Sequence, residues 1–171
     1  MKLIKSWVKA FDQGAVQSIA RRRTPWLTHL MRVTTHMGDK IAMLVVGLSI
    51  GALVSWRLGF ALGFGAGGGG IAAQVIKRFF ARVRPTVGIE GFEAIAGNPD
   101  KYSFPSGHTA TAFGAAFALF GQIGGFSYGA IALAPLIGFS RVYLGAHYPS
   151  DVVAGAFLGV LVGIVVNLSM F

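Results

Sequence analysis

The chain has 171 residues, enough for one domain, and is 54% hydrophobic and 12% charged, with a mean hydropathy of +0.64. A soluble domain carries about 25% charged residues, so this composition points to a bilayer as solvent. Cysteine is absent, which excludes disulfides, thiolate metal sites and a cysteine nucleophile, and the net charge of +9 without a polar surface points to anionic lipid head groups, not to nucleic acid.

Residues 1–20 do not read as a signal peptide, because no continuous apolar core follows the lysines. Leu3, Ile4, Trp7, Val8 and Phe11 recur at helical spacing, with Lys2, Lys5 and Lys9 between them. That pattern predicts a helix lying in the membrane interface, although a surface helix packed on a bundle shows the same spacing. Five apolar stretches follow, at 41–56, 58–80, 109–125, 128–142 and 152–171. A span needs about 20 residues, so the first and fourth are short and require snorkelling flanks or a thinner bilayer. Trp56 and Arg57 fit an interface anchor. Glycines repeat every four residues at Gly47 and Gly51, at Gly59 and Gly63, and at Gly155, Gly159 and Gly163, a spacing that lets membrane helices approach closely. The expected fold is therefore all-α: an integral membrane helical bundle of about five transmembrane helices plus N-terminal interfacial helices. Residues 1–40 form the interfacial segment and 41–171 the membrane domain.

Alternating spans sort the loops onto two sides. The face that holds the N-terminal segment also receives 77–108 and 140–151, and every lysine and arginine except Arg57 lies on it. Three polar clusters meet there. Lys77, Arg84 and Pro85 end the second stretch, Pro105, Ser106, Gly107 and His108 open the third, and Ser140, Arg141, His147 and Asp151 bridge the fourth and fifth. Taken singly, each has an ordinary explanation. Lys77, Arg84 and Arg141 fit cations snorkelling from helix ends, as do Arg78 and Arg82. Ser106 fits an N-cap, with Gly107 adding a free backbone N–H, which together make an anion site. Asp151 fits a carboxylate at a helix N-terminus, since Pro149 and Ser150 mark a helix start. His147 and Asp151, four apart, share a helix face.

Taken together, three cations, an anion-binding cap, two histidines and a carboxylate make up the inventory of phosphoryl transfer. Cations and backbone donors hold the phosphate oxygens and stabilise the transition state. One neutral imidazole attacks phosphorus and a second protonates the leaving oxygen. A carboxylate orients the attacking ring. The acids Asp12, Asp39, Glu90, Glu93, Asp100 and Asp151 include no paired motif for magnesium or calcium, and the nearby cations oppose zinc on His108, His147 and Asp151, so no metal and no cofactor is expected.

The spacing resembles the type 2 phosphatidic acid phosphatase (PAP2) superfamily, which includes vanadium haloperoxidases and glucose-6-phosphatase. Lys77 is separated by six residues from Arg84-Pro85; Pro105-Ser106-Gly107-His108 follows; Ser140-Arg141 is followed after five residues by His147 and after three more by Asp151. The resemblance covers 41–171. It implies that His147 is the nucleophile forming a phosphohistidine, Asp151 its orienting carboxylate, and His108 the general acid and later base. Lys77, Arg84, Arg141, Ser106 and the Gly107 backbone are implied as the phosphate cradle. It further implies a lipid phosphate substrate such as undecaprenyl diphosphate, phosphatidylglycerol phosphate, phosphatidic acid or a lipid A phosphate. Many bacterial relatives have six spans, and here the first is expected to be missing or replaced by 1–40, leaving five. Within that segment 26–40, with Trp26, Leu27, Leu30 and Met31, resembles a helix that lies on the membrane and shields the lipid entrance.

Loop 86–102 is expected to frame that entrance, with Phe92, Tyr102 or Phe104 against substrate. The resemblance places the protein in the inner membrane as a multi-pass protein with its site facing the periplasm. The basic residues instead favour the cytoplasm for that face. The alternatives are a lipid phosphotransferase of the same superfamily and a non-enzymatic lipid transporter or scaffold. A haloperoxidase fits less well, because those relatives are soluble.

Overall fold

The computed structural model describes residues 2–97 and 100–171, and all of their side chains except those of Lys2, Ile4, Lys5 and Phe126. The expected lysine stripe of the N-terminal helix thus lies partly outside the described side chains. Eight helices are described: α1 (Lys2–Arg21), α2 (Pro25–His36), α3 (Lys40–Leu53), α4 (Trp56–Phe80), the single turn α5 (Pro85–Gly88), α6 (Gly107–Ala118), α7 (Gly125–Tyr143) and α8 (Pro149–Met170). No strand occurs among the described residues.

The five apolar stretches become α3, α4, α6, α7 and α8, but they are not equal. Among the described residues only Trp56–Gly88 and Pro149–Met170 are long and apolar enough to cross a bilayer alone. A third crossing arises if α2 and α3, bent by 59°, act as one. The expectation of about five spans is therefore approximate. With 12 residues, α6 is about 18 Å long against a hydrocarbon core of about 30 Å. It needs no lipid-matched length because it is the centre of the bundle. Thr109, Ala110, Thr111, Ala112, Gly114, Ala115, Ala116 and Ala118 are all buried between α4 and α8.

Small residues make that centre possible. A Cβ at Gly114 or Gly65 would collide with the backbone of the other, and one at Gly69 would collide with the Ala110 carbonyl. Gly155, Gly159 and Gly163 meet the Ser106, Ala110 and Gly114 carbonyls in the same way. At the α3–α4 hairpin, a Cβ on Gly59 would lie 2.6 Å from the Gly47 carbonyl oxygen. Lipid offers helices no hydrophobic reason to associate, so this close packing supplies the contact. Gly63 departs from expectation, since nothing among the described residues lies within 4 Å of its Cβ position.

The N-terminal helices lie across the charged end. On α1, Leu3, Trp7 and Phe11 are exposed on one face, while Asp12 and Val16 are fully buried on the other. Val16 packs with Ile89, Val142 and Tyr148. On α2, Trp26, Leu30 and Val33 are exposed and Met31, Thr34 and Thr35 buried, with Met31 against Tyr143 and Leu144. The α7–α8 link, closed by Gly145 at φ 80°, is buried beneath both helices.

The seam gives a paired expectation. Gly114→Ala forces two backbones apart and lowers stability by about 1–3 kcal/mol, whereas Gly63→Ala leaves it level or slightly higher. Thermal unfolding of the two variants in detergent compares them directly, and equal melting points would show that the seam is loose.

Candidate active site

The charged end of the bundle holds a cavity of about 660 Å³. Lys77 enters it from the last turn of α4, Arg84 from the extended segment before α5, and Gly107 and His108 from the first turn of α6. Arg141 comes from the last turn of α7, and His147 from the link into α8. The rim is His36, Gly38, Asp39 and Lys40, between α2 and α3. Six sequence-predicted residues thus share one chamber although they come from five places in the chain.

Lys77, Arg84 and Arg141 are only 5%, 4% and 3% exposed. One carboxylate spans two of them: Asp100 Oδ2 accepts from Lys77 Nζ at 2.6 Å and Oδ1 from Arg84 Nη2. Arg84 also donates to the Asp100 and Ala146 carbonyls at 2.9 and 2.7 Å. Arg141 Nη1 donates to Thr35 Oγ1 at 2.6 Å, and its buried Nε finds no partner among the described residues. Burial alone would raise the Asp100 pKa, but the Lys77 and Arg84 cations outweigh it and hold the carboxyl below its ordinary range.

His147 is 2% exposed. Its Nε2 lies 3.5 Å from Arg84 Nη1, on the cavity side, and its Nδ1 lies 3.7 Å from Asp151 Oδ2. Burial, aided by the Arg141 and Arg84 charges and opposed by Asp151, pushes the imidazole down to about 4, so the ring is neutral at pH 7. His108 Nε2 bonds Asp39 Oδ1 at 2.7 Å, and the other Asp39 oxygen meets exposed His36 Nδ1 at 2.7 Å.

Ser106 and Asp151 stand behind this wall. Ser106 occupies the N-cap position of α6, yet its side chain caps nothing among the described residues. Its hydroxyl accepts from Thr109 Oγ1 at 2.9 Å. It is fully buried and absent from the lining, because Gly155 lets α8 press against its carbonyl. Asp151 caps α8 by accepting from the Tyr148 N–H at 2.9 Å. The aromatic residues expected to touch substrate do not line the cavity: Phe92 lies against Arg23 and Gly145, Phe104 against Phe80, and Tyr102 is outside the lining. Residues 98 and 99 of the entrance loop lie outside the described residues.

Four residues with a place at the site carry no sequence signal of it. Asp39 and Asp100 register only as scattered acids. Arg82, read as snorkelling, instead binds Asp12 and Asp151 at 2.6 and 2.7 Å. It turns inward because α4 ends at Ala81, whose φ of 43° reverses the chain. Asp12 looked like one acid on a surface helix. Among the described residues no group of three His, Asp or Glu side chains is arranged to hold a metal ion.

The PAP2 superfamily model matches residues 55–171. Lipid A 1-phosphatase of Rhizobium johnstonii is 42% identical over 112 residues, covering 62% of this chain and 45% of that protein, so the chain spans less than half the length of that relative. Decaprenylphosphoryl-5-phosphoribose phosphatase of Mycobacterium tuberculosis is 38% identical over 160 residues, covering 90% and 85%. The crystal structure of a transmembrane PAP2-type phosphatidylglycerolphosphate phosphatase from Bacillus subtilis superposes with a TM-score of 0.80 at 29% identity, covering 95% of this chain and 85% of that one. A match over more than half the chain, agreeing with three motifs that fold into one chamber, makes this multi-pass membrane protein a member of the PAP2 superfamily.

Proposed function

We propose that this chain is a metal-independent membrane phosphatase that hydrolyses the phosphate of a polyprenyl or glycerolipid through a phosphohistidine on His147. The observation that carries the reading is the Asp100 carboxylate astride Lys77 and Arg84, in a chamber also lined by Arg141, His108 and His147. A carboxylate already placed there marks where two oxygens of a phosphate fit, and a phosphate reaches Arg141 as well. The Gly107 backbone at the start of α6 adds the dipole of a helix N-terminus.

The proposed chemistry runs in two displacements. Neutral His147 attacks phosphorus through Nε2, the bond to the leaving oxygen breaks, and His108, in the imidazolium form that Asp39 favours, gives that oxygen a proton and becomes neutral. Water then attacks the phosphohistidine, His108 takes the proton of the water, and the phosphorus–nitrogen bond breaks to release inorganic phosphate. Asp151 steadies the imidazolium character of His147 from behind, and Asp39 holds the His108 ring. Ser106 contributes at the start of α6, where its buried hydroxyl accepts from Thr109 Oγ1.

A lipid reaches this chamber from the side. The cavity shares Lys40, Gly70 and Thr111 with a smaller one between α3 and α4, which in turn shares Leu44 and Gly63 with an apolar one reaching Trp56. From Gly70 to Trp56 this groove runs about 21 Å at the helical rise, long enough to lay a chain along most of one hydrocarbon core. The relatives bear the names of different lipid phosphates, which supports a lipid phosphate as the class and leaves the head group to the rim. Exposed Lys9, Arg21, Arg22 and Arg32 beside the apolar faces of α1 and α2 support contact with anionic head groups. The family resemblance supports an inner-membrane location with the chamber facing the periplasm. Lys77, Arg82, Arg84 and Arg141 are committed to the site, so they do not report on topology.

Purified protein in detergent is expected to release inorganic phosphate from a panel of lipid phosphates without any acceptor, and His147→Ala to lose about 10³-fold or more of that rate. Retained activity in His147→Ala would leave a transporter or scaffold, and phosphate release only with an acceptor lipid would make the chain a transferase. Gly67 lines the groove with open space at its Cβ position, so Gly67→Leu narrows the groove. It is expected to raise KM for a long-chain substrate about fivefold while sparing a short water-soluble phosphate, since only the former uses the apolar wall. A reporter fused after Phe171 tests orientation: a cytoplasmic signal is expected, and a periplasmic one would reverse the placement.

A further inference from the structure

Asp12 is a carboxylate with no exposure at all, on a helix whose opposite face carries exposed Leu3, Trp7 and Phe11. Burying a charge is costly unless it is paired and hydrogen-bonded. Asp12 meets that cost through the catalytic end of α8. Its Oδ2 accepts from Arg82 Nη2 at 2.6 Å and from Ser150 Oγ at 2.5 Å, and its Oδ1 accepts from the Ser150 N–H at 3.0 Å. Arg82 Nη1 donates in turn to Ser150 Oγ and to Asp151 Oδ1, both at 2.7 Å, and its guanidinium lies 4.3 Å from the Tyr148 ring centre. The other Asp151 oxygen faces His147 Nδ1. Asp12 lies outside residues 55–171, the part of the chain that matches the family.

We infer that Asp12 is a positioning residue for the nucleophile, acting through Arg82 on Asp151. The inference rests on the proposed role of His147. One cation sits between two carboxylates. If Arg82 faced Asp151 alone, the pair would be neutral, and the guanidinium would draw the Asp151 charge away from His147. By engaging the second guanidinium nitrogen, Asp12 balances Arg82, and the three groups together keep one negative charge beside the imidazole. That charge is what favours positive character on His147 as its bond to phosphorus forms. Ser150, bonded to both Asp12 and Arg82, fixes the register of the first turn of α8, where Asp151 is held.

The geometry separates this electrostatic role from mere bracing. Asp12→Asn keeps the shape and removes the balancing charge. In the purified full-length protein it is expected to slow phosphoenzyme formation about tenfold, with KM changed less than twofold. Asp12→Asn combined with Arg82→Gln removes both charges and returns the single negative charge to Asp151. The double variant is expected to recover to within about threefold of the unaltered protein, faster than Asp12→Asn alone. A bracing role predicts the reverse, since the double variant loses more contacts. The inference is overturned if Asp12→Asn is as fast as the parent, or if the double variant is no faster than the single. It is likewise overturned if the double variant is inactive, whether or not it folds. If Asp12→Asn fails to fold, the double variant, in which Asp151 alone keeps the single negative charge beside His147, decides alone. His147→Ala measured alongside distinguishes the two failures: activity surviving in it removes the phosphohistidine reading itself, whereas its loss with a normal Asp12→Asn removes only this inference.

Discussion

Three cations buried around one small volume are the constraint that shapes the rest of this structure. Lys77, Arg84 and Arg141 repel one another, and each loses hydration on leaving water. Two are compensated by a single carboxylate, Asp100, and by backbone carbonyls. The third has a neutral hydroxyl, Thr35, and a buried Nε without a partner among the described residues. Internal compensation thus stops short of neutrality, and the shortfall is what an incoming dianion would satisfy in the proposed reaction. Burial, aided by the same positive excess, favours neutral His147 and so leaves its ring a lone pair.

Holding those groups together requires the helix ends to converge, and that depends on the backbone. α4 carries Lys77, α6 carries His108 and α8 carries Asp151 in its first turn, so the spacing between these helices sets the width of the chamber. Larger residues at Gly65, Gly114 or Gly155 would splay the ends that bring the cations near the imidazoles. Gly63 and Gly67 serve differently, since they leave open the side of α4 that faces α3. One helix thus uses small residues on one face to exclude space and on another to provide it. Four-residue periodicity alone does not distinguish these uses, because only the approach of a neighbour does.

The sequence made the chamber's wall legible and left its outer shell dark. Lys77, Arg84, His108, Arg141 and His147 carry fixed spacings around helix termini, so local structure nearly determines where they point. Ser106 and Asp151 share those motifs, but their side chains serve the starts of α6 and α8, which spacing cannot separate from contact with a ligand. Asp39, Asp100, Arg82 and Asp12 reach the site through tertiary approach across long stretches of chain, and nothing local marks such pairs. The helix count was legible and the span count less so. A helix surrounded by protein, as α6 is, escapes the length that lipid imposes on α8.

The acids also explain the charge of the whole molecule. There are six Asp and Glu residues against fifteen Lys and Arg. Asp12, Asp39, Asp100 and Asp151 are bonded to cations or histidines of the site and its support, which leaves Glu90 and Glu93 as the exposed ones. Four of the six acids are therefore engaged at the site or its support, while Lys9, Arg21, Arg22, Arg32, Arg78 and Lys101 remain exposed at the same end of the bundle. Those four aspartates cancel Lys77, Arg82, Arg84 and Arg141, so the net charge of +9 comes from the other eleven Lys and Arg against Glu90 and Glu93. A sorting rule that counts basic residues on this face counts four that belong to the chamber and its support along with those exposed beside them. The conflict between charge and expected orientation has its physical origin there: the residues that make a phosphate site and those that orient a membrane protein are of the same kind, gathered on the same side.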